Sequence, residues 1–412
     1  MYDVSYPFIS DGSERYSSWF EENVPLFECS DRLVEDVFRY RWETYHKHLR
    51  CTDDGWIVTE FYPKVRWAGK HNSIACALGH HIYEGRWLRD PRFMEDYVRF
   101  WAKGIGETRR YSNWLADAVW KLCVLRWDMS LGAELFDDLV RNYRGWEDER
   151  LHSCGLFWSH DGADGMEVSI SGDGFRPTLN SYMYADALAI SRLGRMVGRE
   201  GIADLYEEKA ATLKRLFHER LWDEKEEFFK VYPWSEGAHI SSRAVFPERL
   251  RNSTPKKWSF RHVPAEHNAR ELLGYVPWQF GLPESGCKVM WKQLTDTEGF
   301  AAPFGPTTAE KRHPRYMYFH KHHCTWNGPS WPYATSQALT GLANMLNDYD
   351  EDVIGRKEFF DLFMTYTRSH RIEIDGRVVP WIDENLDPQT GEWLCRKIRR
   401  EREGKTDERG IY

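Results

Sequence analysis

The sequence lacks the features that mark membrane proteins, zinc proteins and disulfide-stabilised secreted domains. No apolar run approaches the roughly 18 residues of a membrane span, and the N-terminus has neither a basic segment nor the apolar core of a signal peptide. The eight cysteines are widely spaced, with no CxxC pair and no Cys/His spacing of the zinc type. We therefore expect mostly buried thiols, no membrane partner and, by default, a cytoplasmic protein.

An excess of positive charge and several enzyme signatures are also missing. The chain carries 56 Lys and Arg against 64 Asp and Glu, and these charges are dispersed, which argues against nucleic acid as a partner. GxSxG, HExxH, the P-loop and a GxGxxG followed by a helix are absent. The corresponding hydrolases, zinc proteases, phosphate-binding enzymes and dinucleotide enzymes are therefore not indicated.

Aromatic residues are the main excess. The 412-residue chain has 20 Trp, 21 Tyr and 22 Phe, and many of the Trp stand beside Gly, Pro or Asn, where a helix core would not place them. Sugar rings present flat C–H faces that stack on such side chains, although core packing accounts for most aromatic residues in proteins.

Helical periodicity dominates the chain. Apolar residues recur at i, i+3 and i+4 over 31–49 after Ser30, a suitable N-cap. Similar patterns predict further helices at 72–83, 91–103, 112–126, 131–143, 176–197, 202–221, 267–281, 284–294, 329–346 and 356–371. Short strand-like segments are predicted at 228–232 and 376–382.

About eleven helices with alternately short and long connections predict an all-α fold, an (α/α)6 toroid or barrel of helical hairpins with short β pieces in the loops at its mouth. Six hairpins need twelve helices. A helical solenoid is less favoured because no fixed sequence period is visible, and two separate bundles are the other alternative. No internal boundary has a linker-like composition, so we predict an N-terminal extension at 1–29 and one barrel domain at 30–412.

The first candidate site is a Gly-rich loop at 155–172. It holds an aromatic side chain and three carboxylates spaced at i, i+3 and i+6, namely Trp158, Asp161, Asp164 and Glu167. This pattern suits a site where a sugar stacks beside an acid. A calcium loop that also uses Asp173, or simple turn chemistry, is the alternative, but the spacing is not that of an EF-hand.

Two further segments place polar and aromatic groups beside helix starts. Trp326, Asn327 and Trp331 precede a helix and could stack a sugar and bind its hydroxyls, or form a tight turn that plugs the barrel. Arg176 and Asn180 could bind hydroxyls at the same mouth or cap their helix. A histidine cluster, at His320, His322 and His323, lacks a clear carboxylate partner, so we predict no metal site.

A third segment carries Glu384, which follows the apolar Trp381-Ile382 and precedes a turn marked by Pro388 and Gly391. A single loop carboxylate is usually just solvated. A second carboxylate loop at 161–167 gives it weight, because cleavage of a glycosidic bond needs an acid on one side of the bond and a base or nucleophile on the other.

At these motifs the sequence resembles the six-hairpin glycoside hydrolases, in particular the mannosylglycerate-hydrolase-like group related to trehalase and processing alpha-glucosidase I. The resemblance covers roughly residues 30–412. Gly165-Met166-Glu167-Val168-Ser169 looks like the relatives' Gly-Met/Trp-Asp-x-Ser segment, with Glu in place of the Asp that bears the general acid. This leaves two candidates for the acid, Glu167 by register and Asp164 by residue type.

The two other motifs follow in the relatives' order. Trp326-Asn327-Gly328-Pro329-Ser330-Trp331-Pro332 looks like their Trp-x-Gly-Pro-x-Trp-Pro wall of the sugar subsite. The segment that begins at Glu384 looks like Glu-x-Tyr-x-Pro-x-Thr-Gly, which bears the general base, with Leu386 where an aromatic is common. Relatives continue into an Asn-His-Ser-type segment and a last barrel helix, so we expect a barrel that lacks its last helix.

The resemblance implies an inverting glycosidase that acts on a carbohydrate without a cofactor. Glu167, or else Asp164, would protonate the leaving oxygen, and Glu384 would activate a water molecule on the opposite face, with the two carboxyl groups roughly 6.5–9.5 Å apart. Trp158, Trp326 and Trp331 would line the pocket, while Arg176 and Asn180 would bind hydroxyls. The alternatives are a catalytically impaired carbohydrate-binding remnant and an epimerase or lyase with a central His or Tyr.

Overall fold

The computed structural model describes residues 14–398, apart from 234–268 and short gaps at 62–63, 66–67, 320–321, 323, 351–352, 375 and 396. Helices make up most of the described chain. They are α1 Glu14–Asn23, α2 Arg32–His48, α3 Leu78–Gly85, α4 Arg92–Ala102, α5 Leu115–Arg126, α6 Ser130–Arg150, α7 Pro177–Met196, α8 Glu200–Leu221, α9 Val276–Gln279, α10 Lys292–Thr295, α11 Pro332–Asp348 and α12 Arg356–Ser369.

An inner layer of helices forms the centre of the fold. Helix α3 packs against α5, α5 against α7, α7 against α9, and α9 against α11. Nearly every side chain of α7 is buried, because its sequence places small or apolar residues on all of its faces. A helix that is apolar all round has no face for solvent, so it lies inside.

An outer layer covers these helices. Helix α8 packs along α7, α6 packs against both α5 and α7, and α12 packs against α11 and α2. Each outer helix buries one stripe and leaves a charged face to solvent, as expected for amphipathic helices. The two helical layers confirm the prediction of an all-α hairpin barrel. Among the described helices, every one is too short or too polar to cross a lipid bilayer.

Short antiparallel strand pairs occupy the connecting loops. They are β1 Leu49–Thr52 with β2 Gly55–Val58, β3 Gly174–Phe175 with β6 Tyr232–Pro233, β4 Trp222–Asp223 with β5 Phe228–Phe229, and β7 Arg371–Ile374 with β8 Arg377–Pro380. The strands predicted at 228–232 and 376–382 are confirmed in part. The β1/β2 hairpin was not predicted from the sequence. Its two strands are only four residues long and follow α2 directly, so they leave no clear alternating pattern.

Several predicted helix boundaries were wrong. Helix α2 is capped by Asp31, whose side chain accepts the Leu33 N–H at 2.9 Å, and not by Ser30. The helix predicted at 72–83 begins only at Leu78, because Asn72 has a φ of +60°, Ser73 and Ile74 are extended, and a 3₁₀ turn occupies Ala75–Ala77. In place of the helices predicted at 267–281 and 284–294, the described residues 269–294 hold 3₁₀ turns at Leu272–Tyr275 and Ser285–Trp291, each followed by one α-helical turn; residues 267 and 268 lie outside the described part of the chain.

Helix α1 lies within the predicted N-terminal extension and packs on the barrel. The Trp19 ring stacks on His46 of α2 with a centroid distance of 3.8 Å, and Val24 is buried in the main core. Asn23 accepts the backbone N–H of Arg89. The proposed boundary at residue 30 stays a prediction.

Candidate active site

Backbone hydrogen bonds join the three sequence motifs. The carbonyl of Glu167 accepts the N–H of Trp326 at 3.1 Å. Ser330 and Leu386 exchange two N–H···O=C bonds, each of 3.0 Å. The acid-bearing loop, the Trp-rich turn and the Glu384 loop are therefore held against one another, although they are far apart in the sequence.

Glu384 lies at the wall of a cavity of about 590 Å³, together with Glu60, Trp331 and Tyr333. Its side chain is largely buried, at 8% exposure. Its backbone N–H donates to Asp383 Oδ1 at 3.0 Å, and the thiol of Cys324 donates to its Oε2 at 3.2 Å. A buried carboxylate in a cavity wall is in a position to act on a ligand in that cavity.

The negative charge of Glu384 affects the pKa of Glu167. Burial raises the pKa of Glu167 to about 8, and the negative charges of Glu384 and Asp161 add to this effect. A carboxyl group with this pKa keeps its proton at neutral pH and can donate it. The charge of Glu384 therefore acts on Glu167, although Glu384 lines the cavity and Glu167 is not among the residues that line it.

The backbone beside Glu167 is strained. Val168 has a φ of +63°, an uncommon conformation for a β-branched residue. Hydrogen bonds hold the chain on both sides of it, from Trp326 N–H to the Glu167 carbonyl and from Ser169 N–H to Asp161 Oδ2 at 3.2 Å. Strain of this kind persists where surrounding contacts fix the chain, and it occurs often at functional sites.

Asp164 and Arg176 form a fully buried ion pair beneath the loop. The Asp164 carboxylate also accepts hydrogen bonds from Ser112, Ser159 and Thr178. The Arg176 guanidinium donates to Ser169 Oγ and to the Gly172 carbonyl as well. Both groups are committed to protein partners, so this arrangement favours a structural role for Arg176 and favours Glu167 over Asp164 as the acid.

Asn180 and Asp161 also bind the protein backbone. The Asn180 amide donates to the carbonyls of Phe157 and Arg176, both at 2.9 Å, and accepts the Phe157 N–H at 2.8 Å. Asp161 accepts the Ser169 N–H and donates its own N–H to Asp173 Oδ1 at 3.1 Å. The hydrogen bonds of these polar side chains therefore fix the backbone of the Gly-rich loop at 155–172.

All three predicted tryptophans are buried in the main core, and of the three Trp331 lines the cavity. Trp326 and Trp331 are stacked, with centroids 4.2 Å apart and ring planes 20° apart, and the Trp331 indole N–H donates to the Thr325 carbonyl. Trp158 is buried in the main core, with the Arg150 guanidinium 5.8 Å from its ring centre. Asn327 is fully buried, and its amide donates to the Phe319 carbonyl at 2.8 Å.

Glu60 is a cavity carboxylate that sequence analysis missed. It follows strand β2, and its side chain lies 3.7 Å from His81 Nε2. Burial, together with the charge of Glu384, raises its pKa to about 8. The available signal was a single Glu two residues after the apolar stretch Trp56-Ile57-Val58, which becomes informative only once the β1/β2 hairpin is recognised.

Two histidines line the same cavity in neutral form. Burial, with the positive charge of Arg41, lowers the pKa of His80 to about 3, and burial lowers that of His81 to about 3 as well. His320 and His323 of the predicted cluster lie outside the described residues. Within the described part of the chain, no three His, Cys, Asp or Glu side chains are grouped so that they could hold a metal ion.

Comparison with known proteins identifies relatives among glycosidases. The profile of the family described as mannosylglycerate hydrolase MGH1-like glycoside hydrolase domain matches residues 70–398. A solved structure named sialidase shares 36% identity over 97% of this chain with a TM-score of 0.83, and the chain spans 34% of its length. No curated protein matches the sequence.

More distant solved structures share the fold. A GH63 mannosylglycerate hydrolase from Thermus thermophilus, in complex with Tris, is 13% identical, with a TM-score of 0.58 and coverage of 89% of this chain and 98% of its own. A rhamnosidase from Klebsiella oxytoca with rhamnose bound is 11% identical, with a TM-score of 0.57 and coverage of 93% and 66%.

The structural role of Asp164 leads to a stability prediction. Asp164→Asn leaves the buried Arg176 charge without its counterion, so we expect the free energy of unfolding to fall by about 3–5 kcal/mol. Asp361→Asn removes the exposed partner of Lys357 and serves as the control, for which we expect a much smaller loss, because exposed ion pairs contribute little to stability. Urea denaturation followed by circular dichroism measures both, and equal losses would contradict the assignment.

The raised pKa values of Glu60 and Glu167 predict how stability depends on pH. The folded state holds both protons more tightly than the unfolded chain, so their contribution is complete below pH about 4.5 and is lost as the pH rises to about 8. In the double variant Glu60→Gln/Glu167→Gln both groups stay neutral. We expect its Tm at pH 8.5 to exceed that of the wild type by about 2–4 °C, with a smaller difference at pH 4.5.

Differential scanning calorimetry at the two pH values makes this measurement. Glu373→Gln, at an exposed position on β7, is the control and should follow the wild type. A double variant that loses as much stability as the wild type between the two pH values would show that these carboxyl groups are not buried in neutral form.

Proposed function

The chain belongs to the mannosylglycerate hydrolase MGH1-like glycoside hydrolase domain family, and we propose that it hydrolyses a glycosidic bond with inversion, using Glu167 as the general acid and Glu384 as the general base. One observation carries the proposal. Backbone hydrogen bonds hold the Glu167 loop and the Glu384 loop against the same Trp-rich turn, and burial, with the charge of Glu384, raises the pKa of Glu167 to about 8. An acid and a base with separated proton affinities are what the reaction needs.

The choice of Glu167 over Asp164 follows from their partners. Asp164 is occupied by Arg176, Thr178, Ser112 and Ser159. A carboxylate surrounded by donors is stabilised in its charged form and makes a poor proton donor. Glu167 has no cationic partner among the described residues, and burial, with the negative charges of Glu384 and Asp161, raises its pKa to about 8, which favours its neutral form.

The cavity supplies groups that could bind a sugar. Trp331 and Tyr333 offer aromatic surface, and the neutral carboxyl group of Glu60 can donate a hydrogen bond to a hydroxyl. Trp326 backs Trp331 through the ring stack and so fixes its orientation. In this proposal Arg176, Asn180, Asp161 and Asn327 position loops, and Trp331 and Glu60 contact substrate.

An epimerase or lyase would need a His or Tyr acid and base at the centre of the cavity. His80 and His81 line the cavity, but their pKa values of about 3 leave them uncharged at neutral pH, and burial raises the pKa of Tyr333 well above its usual value, so all three are poor proton donors. The names of the relatives, a sialidase, a mannosylglycerate hydrolase and a rhamnosidase, also favour hydrolysis. Hydrolysis is therefore the better candidate.

Leaving-group dependence separates the two catalytic roles. Glu384→Gln removes the base and should lower kcat by about 10²–10⁴-fold on every substrate of an aryl glycoside and disaccharide panel. Glu167→Gln should cause a similar loss on disaccharides, but a much smaller loss on dinitrophenyl glycosides, because dinitrophenolate leaves without protonation. Steady-state kinetics on both substrate types measures the difference.

Glu373→Gln is the matched control and should keep wild-type rates. Equal rates for Glu384→Gln and the wild type would remove Glu384 from the chemistry. A wild-type protein that binds sugar but hydrolyses no member of the panel would instead support the carbohydrate-binding remnant.

The stereochemical course tests inversion directly. Proton NMR of the reaction mixture in its first minutes should show a sugar whose anomeric configuration is opposite to that of the substrate, because water attacks the face away from the leaving group in a single displacement. A product that retains the substrate's configuration would exclude this mechanism and would make Glu384 a nucleophile.

A further inference from the structure

Cys324 contacts the proposed base directly, although none of the three motifs assigns it a role. Its Sγ lies 3.2 Å from Glu384 Oε2, with the thiol as donor. The chain brings this thiol to Glu384 from the segment before the Trp-rich turn, 60 residues away in the sequence. A carboxylate oxygen that accepts an S–H bond has one of its acceptor directions fixed.

The thiol keeps its proton at this position. Burial, with the negative charges of Glu384 and Glu167, raises the pKa of the Cys324 thiol well above its usual value. The group therefore stays a neutral donor across the pH range in which glycosidases work, and the hydrogen bond runs from sulfur to carboxylate.

The segment around Cys324 reaches both carboxyl residues. The Cys324 N–H donates to His322 Nδ1 at 3.1 Å, which fixes the start of the segment. Two residues later, the Trp326 N–H donates to the Glu167 carbonyl. One short stretch of chain thus holds the backbone of the proposed acid and the side chain of the proposed base.

We propose that Cys324 is a positioning residue for Glu384, whose S–H bond fixes the orientation of the carboxylate and favours its ionised form. This inference rests on the proposed function, because orientation matters only if Glu384 takes a proton from water. A hydrogen bond to the charged form of an acid makes that acid harder to protonate. Loss of the thiol should therefore narrow the active pH range from its acidic side.

Kinetics of Cys324→Ala and Cys324→Ser test this role. In Cys324→Ala the acidic limb of the kcat/KM profile should move to higher pH, with a loss of about three- to tenfold at pH 5 and a smaller loss at the optimum. Cys324→Ser keeps a donor and should restore much of the acidic limb. Cys51→Ala, at an exposed position, is the control for cysteine removal.

A labelling experiment tests the contact without any substrate. Iodoacetamide alkylates thiolates, so the Glu384 charge that keeps the Cys324 thiol protonated should slow its alkylation. In Glu384→Gln, mass spectrometry should find that Cys324 is alkylated about three- to tenfold faster at pH 8.5, with Cys51 unchanged as an internal reference. Equal rates at Cys324 would overturn the proposed contact.

Hydrolysis by Glu384→Gln and the pH profile of Cys324→Ala together distinguish a failure of the proposed function from a failure of the role proposed for Cys324. Unchanged hydrolysis in Glu384→Gln would contradict the proposed function and, with it, the positioning role. An inactive Glu384→Gln combined with an unshifted pH profile in Cys324→Ala would contradict only the role of Cys324. A shift in Cys324→Ala that Ser does not reverse would point to altered packing and would also contradict it.

Discussion

The site depends on a few backbone hydrogen bonds between loops. The bond from Trp326 to Glu167 and the exchange between Ser330 and Leu386 join three segments that the sequence keeps far apart. Without them, the two carboxyl groups would lie on separate loops, each free to remain in water. Because the bonds join backbone groups, they fix the loops closely enough for side chains to share one buried environment.

Burial then divides the acidic residues into two groups. Asp164 is paired with a buried arginine and surrounded by donors, which suits the charged form. Glu167 and Glu60 lie in buried surroundings near the negative charge of Glu384, and both effects favour the neutral form of their carboxyl groups. The same physical rule therefore yields a buried ion pair at Asp164 and raised pKa values at Glu167 and Glu60. Glu384 differs from all three, because it accepts a thiol hydrogen bond and lines the cavity.

The hairpin barrel was predictable because long amphipathic or wholly apolar helices leave a strong periodic signal. α2, α7, α8 and α11 all lie close to their predicted positions. In the described residues of the two helices predicted at 267–281 and 284–294, a 3₁₀ turn precedes a single α-helical turn, because contacts distant in the sequence decide between α and 3₁₀ geometry in short segments. Glu60 was not predicted for a similar reason. The hairpin before it is short, and the cavity that it lines is completed by Trp331, Tyr333 and Glu384, which lie hundreds of positions away in the sequence.

The sequence by itself determined the helical architecture, the order of the three motifs and a short set of candidate carboxyl groups. Only the tertiary structure showed that Asp164 pairs with the buried Arg176, that the Asn180 amide bonds to its own loop, that Glu60 shares a cavity with Glu384, and that the Cys324 thiol donates to Glu384. The reason is that a carboxyl group's proton affinity and a side chain's partners depend on burial and on neighbouring charges. Those quantities are set by residues that meet only after the chain has folded.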